Sequence, residues 1–160
     1  MKKLASLIIL LIFAYGCAEY KPIFESSNLK FKILDFSLEG DKKIGKQIYS
    51  KLENLSKTNQ NQDDATDVYI TFNVTKQKEP TAKDGTGKTM EYRININSQV
   101  KVKNYLTDKI ILNKTFAAST TYKVQNQYSE TIKLESKSIN NLINYTFQEL
   151  LIELTKKTGE

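Results

Sequence analysis

Residues 67–76 read Asp67-Val68-Tyr69-Ile70-Thr71-Phe72-Asn73-Val74-Thr75-Lys76, and their alternation decides the fold. Val68, Ile70, Phe72 and Val74 fall on one face of an extended chain; Tyr69, Thr71, Asn73 and Thr75 fall on the other. A second such segment spans about 89–105. There Tyr92, Ile94, Ile96, Val100 and Val102 share one face, and Arg93, Asn95, Asn97, Gln99, Lys101 and Lys103 share the opposite one. A third runs from about 109 to 122, after the short turn Leu106-Thr107-Asp108. Strands of period two joined in series form an antiparallel meander. Its apolar face packs on helices and its polar face is left wet.

The flanking segments supply the cover. Residues 29–38 begin as a strand with Leu29, Phe31 and Ile33 on one face. Leu34, Phe36 and Leu38 then take the other, so the phase slips near Ile33 and a bulge or the strand end is expected there. Gly40 and Asp41 open a helix, with Asp41 as its N-cap and Ile44, Ile48, Leu52 and Leu55 as its apolar stripe. The run SKTNQNQDDAT (56–66) reads as polar loop, and KQKEPTAKDGTG (76–87) as a long hairpin loop. Residues 129–157 form a long helix without proline. Ile132, Ile139, Leu142, Ile143, Phe147, Leu150 and Leu154 line one side. The expected architecture is α+β: two helices on one face of a four-stranded mixed sheet, in the order strand, helix, three-strand meander, helix. Strand order stays open at this level.

The motif Asp84-Gly85-Thr86-Gly87-Lys88-Thr89 ends like a phosphate-binding loop. Such a loop needs a glycine five residues before the one preceding the lysine, and a helix after it. Here that position is Ala82, and a strand, not a helix, comes after Lys88. The motif therefore reads as a hairpin tip, with Asp84, Gly85 and Gly87 supplying positive φ.

The 160-residue chain opens with Lys2 and Lys3, a short apolar run, then Gly16 and Cys17. This is the layout of an export signal, too short to anchor as a transmembrane helix. Cys17 is the only cysteine. Gly16-Cys17 resembles the lipobox of bacterial lipoproteins, which implies a diacylated thiol on Cys17, with cleavage just before it. Two or three acyl chains make a stable anchor. Ala18, rather than aspartate, comes next; in lipoproteins of two-membrane bacteria that favours onward transfer to the outer membrane. The expected division is a lipoprotein signal peptide at 1–16, a lipidated tether at 17–28 and a single α/β sandwich domain at 29–160.

The net charge is +6, and the two leader lysines leave about +4 on the mature chain. That surplus suits an acidic partner, and export makes nucleic acid the least suitable one. There is no histidine. Asp63, Asp64 and Asp67 sit in a polar loop without ligands at fixed spacing, and read as solvated charges rather than a metal site. The residues general acid–base catalysis draws on are scarce, so we expect binding, not an enzyme, with no cofactor beyond the lipid on Cys17. The polar strand face carries Arg93, the single arginine, with Lys101 and Lys103. These three are the candidate contacts for phosphate groups.

Cys17-Ala18-Glu19-Tyr20-Lys21-Pro22-Ile23-Phe24 resembles the mature opening of the LPS-assembly lipoprotein LptE family, with Tyr20, Pro22 and Phe24 matching. Tyr92-Arg93 echoes the family's strand-borne arginine. The stretch Thr115–Glu130 resembles its small-residue strand followed by tyrosines, here Tyr122 and Tyr128, and the long last helix fits. The resemblance implies an outer-membrane lipoprotein that faces the periplasm or sits within the lumen of the β-barrel protein LptD. It would plug the barrel, help it assemble and take part in lipopolysaccharide transport by non-covalent binding. Arg93, Lys101 and Lys103 are the lipopolysaccharide contacts under that reading. The alternative is an envelope scaffold lipoprotein with another protein partner and no lipopolysaccharide role.

Overall fold

The computed structural model describes residues 30–58 and 65–158. Cys17, the leader, the tether and the acidic pair Asp63 and Asp64 lie outside those residues. The described elements are β1 (Phe31–Gly40), α1 (Lys42–Thr58), β2 (Thr66–Lys83), β3 (Thr89–Asn104), β4 (Ile110–Lys123) and α2 (Tyr128–Thr158). They build one four-stranded sheet in the order β1-β2-β3-β4. β1 runs parallel to β2 through the α1 crossover, and the remaining pairs are antiparallel. The sheet is thus mixed, with both helices on one face, as the patterning implies.

The phase slip in β1 is resolved by a register shift between Ile33 and Asp35. Leu34 is the extra residue and stands 43% exposed. The shift pairs Ile33 with Val68 and Phe36 with Ile70. Because directly paired residues point the same way, Phe31, Ile33, Phe36 and Leu38 all reach the helix side. Gly40 then turns the chain at φ +70°, and the Asp41 amide donates to the Val74 carbonyl at 2.7 Å. A side chain at Gly40 would collide with that carbonyl. Asp41 caps α1 as expected: its Oδ1 accepts from the Ile44 amide at 3.1 Å.

Phe72, Ile48, Leu52, Ile70, Ile94, Ile96, Ile143, Leu150 and Leu154 are fully buried between the sheet and the two helices. Ser98 and Thr146 share this core, and no hydrogen-bond partner reaches either hydroxyl.

Four boundaries and placements depart from the sequence reading. α1 continues to Thr58 because Ser56 is buried and donates to the Phe31 carbonyl at 3.3 Å, which draws the last turn onto β1. Residues 77–83 are strand, not loop, and pair with β3 up to Lys83–Thr89. Both faces of that extension are exposed, so it shows no apolar alternation. Pro80 is tolerated because β1 pairs only as far as Val74, leaving β2 an edge beyond it. Of the three tip residues expected at positive φ, only Gly87 has it, at +86°. Ile132 is 40% exposed, because the first turns of α2 overlie the far end of the hairpin. There Lys78, Tyr92 and Tyr122 replace aliphatic side chains.

That end is held by polar contacts. Lys78 Nζ lies 2.6 Å from Glu135 Oε2, and the Tyr122 hydroxyl donates to the same oxygen at 2.8 Å. Lys78 also sits 4.4 Å above the centre of the Tyr92 ring, which stacks on Tyr122.

Candidate functional site

Across the paired middle of the sheet, the odd-numbered side chains of β2, β3 and β4 project away from the helices, and no described element covers that face. It carries Thr71, Asn73, Thr75 and Gln77 of β2, Asn95, Asn97 and Gln99 of β3, and Thr115, Ser119 and Thr121 of β4. The middle of the face is a lattice of hydroxyls and amides, and its charges stand toward the two ends: Glu79 and Arg93 at one, Lys101 and Lys103 at the other. A shallow dish of about 300 Å³ lies on it, bordered by Gln77, Asn95, Asn97, Ala117 and Ser119.

Arg93, Lys101 and Lys103 all lie on this face, but not together. Eight residues separate Arg93 from Lys101, about 27 Å at a strand rise of about 3.4 Å per residue. Arg93 Nη1 is 3.7 Å from Glu79 Oε1, and Lys103 Nζ is 3.5 Å from Asp108 Oδ1. Both pairs are solvated and weak. Lys101 has no ion-pair partner among the described residues. The three cations therefore form two separate places, Lys101 with Lys103 at one end of the sheet and Arg93 at the other, too far apart to share one phosphate-sized group.

The sequence reading misses a denser cationic site. α1 carries Lys42, Lys43, Lys46, Lys51 and Lys57 against a single acid, Glu53. This one helix therefore holds a surplus of four positive charges, against +6 for the whole chain. A groove of about 690 Å³ runs between α1 and α2, lined by Lys43, Lys46, Gln47, Ser50, Lys51, Asn140, Ile143 and Asn144. Its lysines, Lys43, Lys46 and Lys51, run from the first turn of α1 to its middle, and the first turn of the helix holds no acid. Asp41 already caps the positive end of the helix dipole, so the attraction of the groove for an anion comes from the lysine ammonium groups themselves. The only signal in the sequence is the helical spacing of the lysines. That spacing alone marks a solvated face, because the facing asparagines of α2 are about a hundred residues away in sequence.

The DGTGKT tip is closed upon itself. Asp84 Oδ1 accepts from the Thr86 amide at 2.9 Å, the Thr86 hydroxyl at 2.7 Å and the Lys88 amide at 3.0 Å. The Thr86 hydroxyl, then its amide and that of Lys88, hold the Asp84 carboxyl below the usual carboxylate range. Amides that a phosphate loop would turn toward its ligand are taken by the protein's own carboxylate. Asp67 of the acidic cluster lies in β2, where its carbonyl accepts from the Tyr105 amide at 2.8 Å.

Neither a family model nor the sequence of a curated protein matches the chain significantly. Solved structures share its fold. A candidate lipoprotein of Caulobacter crescentus superposes with a TM-score of 0.60 at 13% identity, covering 82% of this chain and 92% of the other. Lipoprotein B of Nitrosomonas europaea gives 0.56 at 10% identity, over 85% and 92% of the two chains. Rare lipoprotein B of Shewanella oneidensis gives 0.52 at 11%, over 77% and 96%. The chain therefore has the fold that these lipoproteins share. At these identities the likeness carries the architecture and no residue roles.

Proposed function

We propose that this chain is a lipid-anchored envelope protein acting in the LptE role. It seats against a large β-barrel partner, LptD, assists its assembly and contacts lipopolysaccharide during transport to the outer surface. The single observation that carries this reading is the uncovered sheet face, hydroxyl- and amide-rich across three strands. A surface of that kind, with an uncharged polar middle and charges toward its ends, suits burial against the wet wall of a barrel lumen. The fold shared with rare lipoprotein B and the Cys17 lipobox support the same assignment.

The binding is non-covalent and needs no catalytic group. Phosphates or acidic sugars meet lysine ammonium groups, amides meet sugar hydroxyls, and bound cations are displaced. Lys101 and Lys103 form one such contact, and Arg93 a separate one. The groove of Lys43, Lys46 and Lys51 offers the higher local charge density.

The test is a detergent pull-down from the native outer membrane through a C-terminal tag, read by mass spectrometry. Co-purification of a large translocon barrel is expected. Recovery of an acylated chain without a barrel overturns the proposal.

A further inference from the structure

The sheet has three stretches of free edge, and two are blunted against pairing. β1 carries Lys32, Asp35, Glu39 and a register shift. The free part of β2 carries Lys76, Lys78, Glu79, Pro80 and Lys83, with further register shifts around Ala82. Charges, proline and bulges of this kind are how native edges avoid a second chain. The outermost strand, β4, has none of them from Thr115 to Tyr122: Thr115-Phe116-Ala117-Ala118-Ser119-Thr120-Thr121-Tyr122 contains no charge, proline or glycine. Its pairing with β3 is unbroken along that whole length. The eight residues offer about 27 Å of straight backbone edge at a rise of about 3.4 Å per residue.

Hollows flank the middle of this edge on both sides of the sheet. On the polar side is the dish of about 300 Å³ that reaches Ala117 and Ser119. On the helix side a second hollow, about 370 Å³, lies between residues 117–120 and Asn141, Leu142 and Tyr145 of α2. Both exist because the edge side chains between them are small. An added strand would send alternate side chains into the two hollows.

We propose that β4 is a strand-addition site. It accepts an extended segment of a partner protein whose large apolar side chains enter the Leu142–Tyr145 hollow and whose alternate long polar side chains cross the small Ala117 and Ser119 toward Asn97 and Asn95. A second copy of this chain does not fit as occupant. Antiparallel β4–β4 pairing would set small residues against small ones and leave the hollows unfilled. The proposal is independent of the lipopolysaccharide reading.

The probe is an octapeptide with the sequence of residues 69–76, YITFNVTK, which alternates polar and large apolar residues. A scrambled version with the apolar residues clustered is the control. Each is added to the isotope-labelled full chain in detergent, and amide hydrogen exchange is mapped by residue. The expected result is new protection confined to residues 115–122 with the alternating peptide alone. Ser119→Lys should weaken the peptide about tenfold, since an edge lysine opposes pairing. Circular dichroism of that variant should be unchanged. Three results overturn the proposal: no response at millimolar peptide, an equal response to the scrambled peptide, or protection mapping to residues 75–83. Protection of 115–122 that rises with protein concentration and needs no peptide also overturns it, by making a second copy the occupant.

Discussion

Replacing Glu135 by Gln should destabilise the fold by about 1–2 kcal/mol at neutral pH, with the size set by two contacts on one oxygen. Lys78 Nζ and the Tyr122 hydroxyl both approach Glu135 Oε2, at 2.6 and 2.8 Å. Hydrogen bonds to a charged group contribute about 1.5–3 kcal/mol when dry, and exposed ion pairs about 0–1 kcal/mol. The Lys78 and Glu135 side chains are 37% and 19% exposed, which places the cluster between those limits. Glutamine keeps an acceptor for Tyr122 but loses the charge that Lys78 meets. Urea unfolding should therefore show a lower midpoint with an unchanged slope. A double-mutant cycle with Lys78→Met should return a coupling of about 1 kcal/mol. The pH dependence is the sharper test. Burial disfavours the Glu135 carboxylate, but hydrogen bonds from Lys78 and then Tyr122 outweigh it, and the carboxyl is held below its usual value. A depressed acid stabilises the fold above its unfolded pKa of about 4.3, and that stability is lost as pH falls through the folded value. The gap between wild type and Glu135→Gln should thus narrow below about pH 4 and then close. A neutral-pH gap under about 0.3 kcal/mol would refute the reasoning, because it is no more than a fully solvated pair is worth and leaves nothing for the partly buried double contact. So would a gap that persists unchanged in acid.

The buried hydroxyls of Ser98 and Thr146 lack partners. Ser98→Ala and Thr146→Val should each stabilise by about 1 kcal/mol in the same assay, because a desolvated, unpaired polar group is removed. Gly40→Ala should cost about 2 kcal/mol or more, since Gly40 has φ +70° and a methyl there meets the Val74 carbonyl. Phe72→Ala, at the fully buried centre of β2, should cost about 3–5 kcal/mol and lower the thermal midpoint accordingly. Lys88→Ala at the hairpin tip should change stability by less than about 0.5 kcal/mol. It should also leave barrel co-purification intact; loss of function with the fold preserved would reopen the nucleotide-loop reading.

The faces of β2 and β3, the bulge in β1, the Asp41 cap and the long last helix are legible in the sequence because each is a local repeat or a local hydrogen bond. The extension of β2 through Pro80 is not legible. Its pairing with β3 leaves both faces wet, so no alternation marks it. Ser56 reads like the start of a loop, and only the Phe31 carbonyl 25 residues earlier makes it helical. Arg93, Lys101 and Lys103 do share one strand face. Spacing along the strand then separates them into two ends, which a list of cations on one face does not reveal. The lysines of α1 are visible in the sequence, but their groove needs the asparagines of α2 beside them.

By itself, the sequence determined the number and kind of elements and the one-sided cover of the sheet. These arise from periodicity and capping, which act over a few residues. Only the tertiary structure decided the strand order, which edge stays unblunted, and where cations gather. Each of these depends on which distant segments become neighbours, and that is settled by burying one common apolar face rather than by local preference.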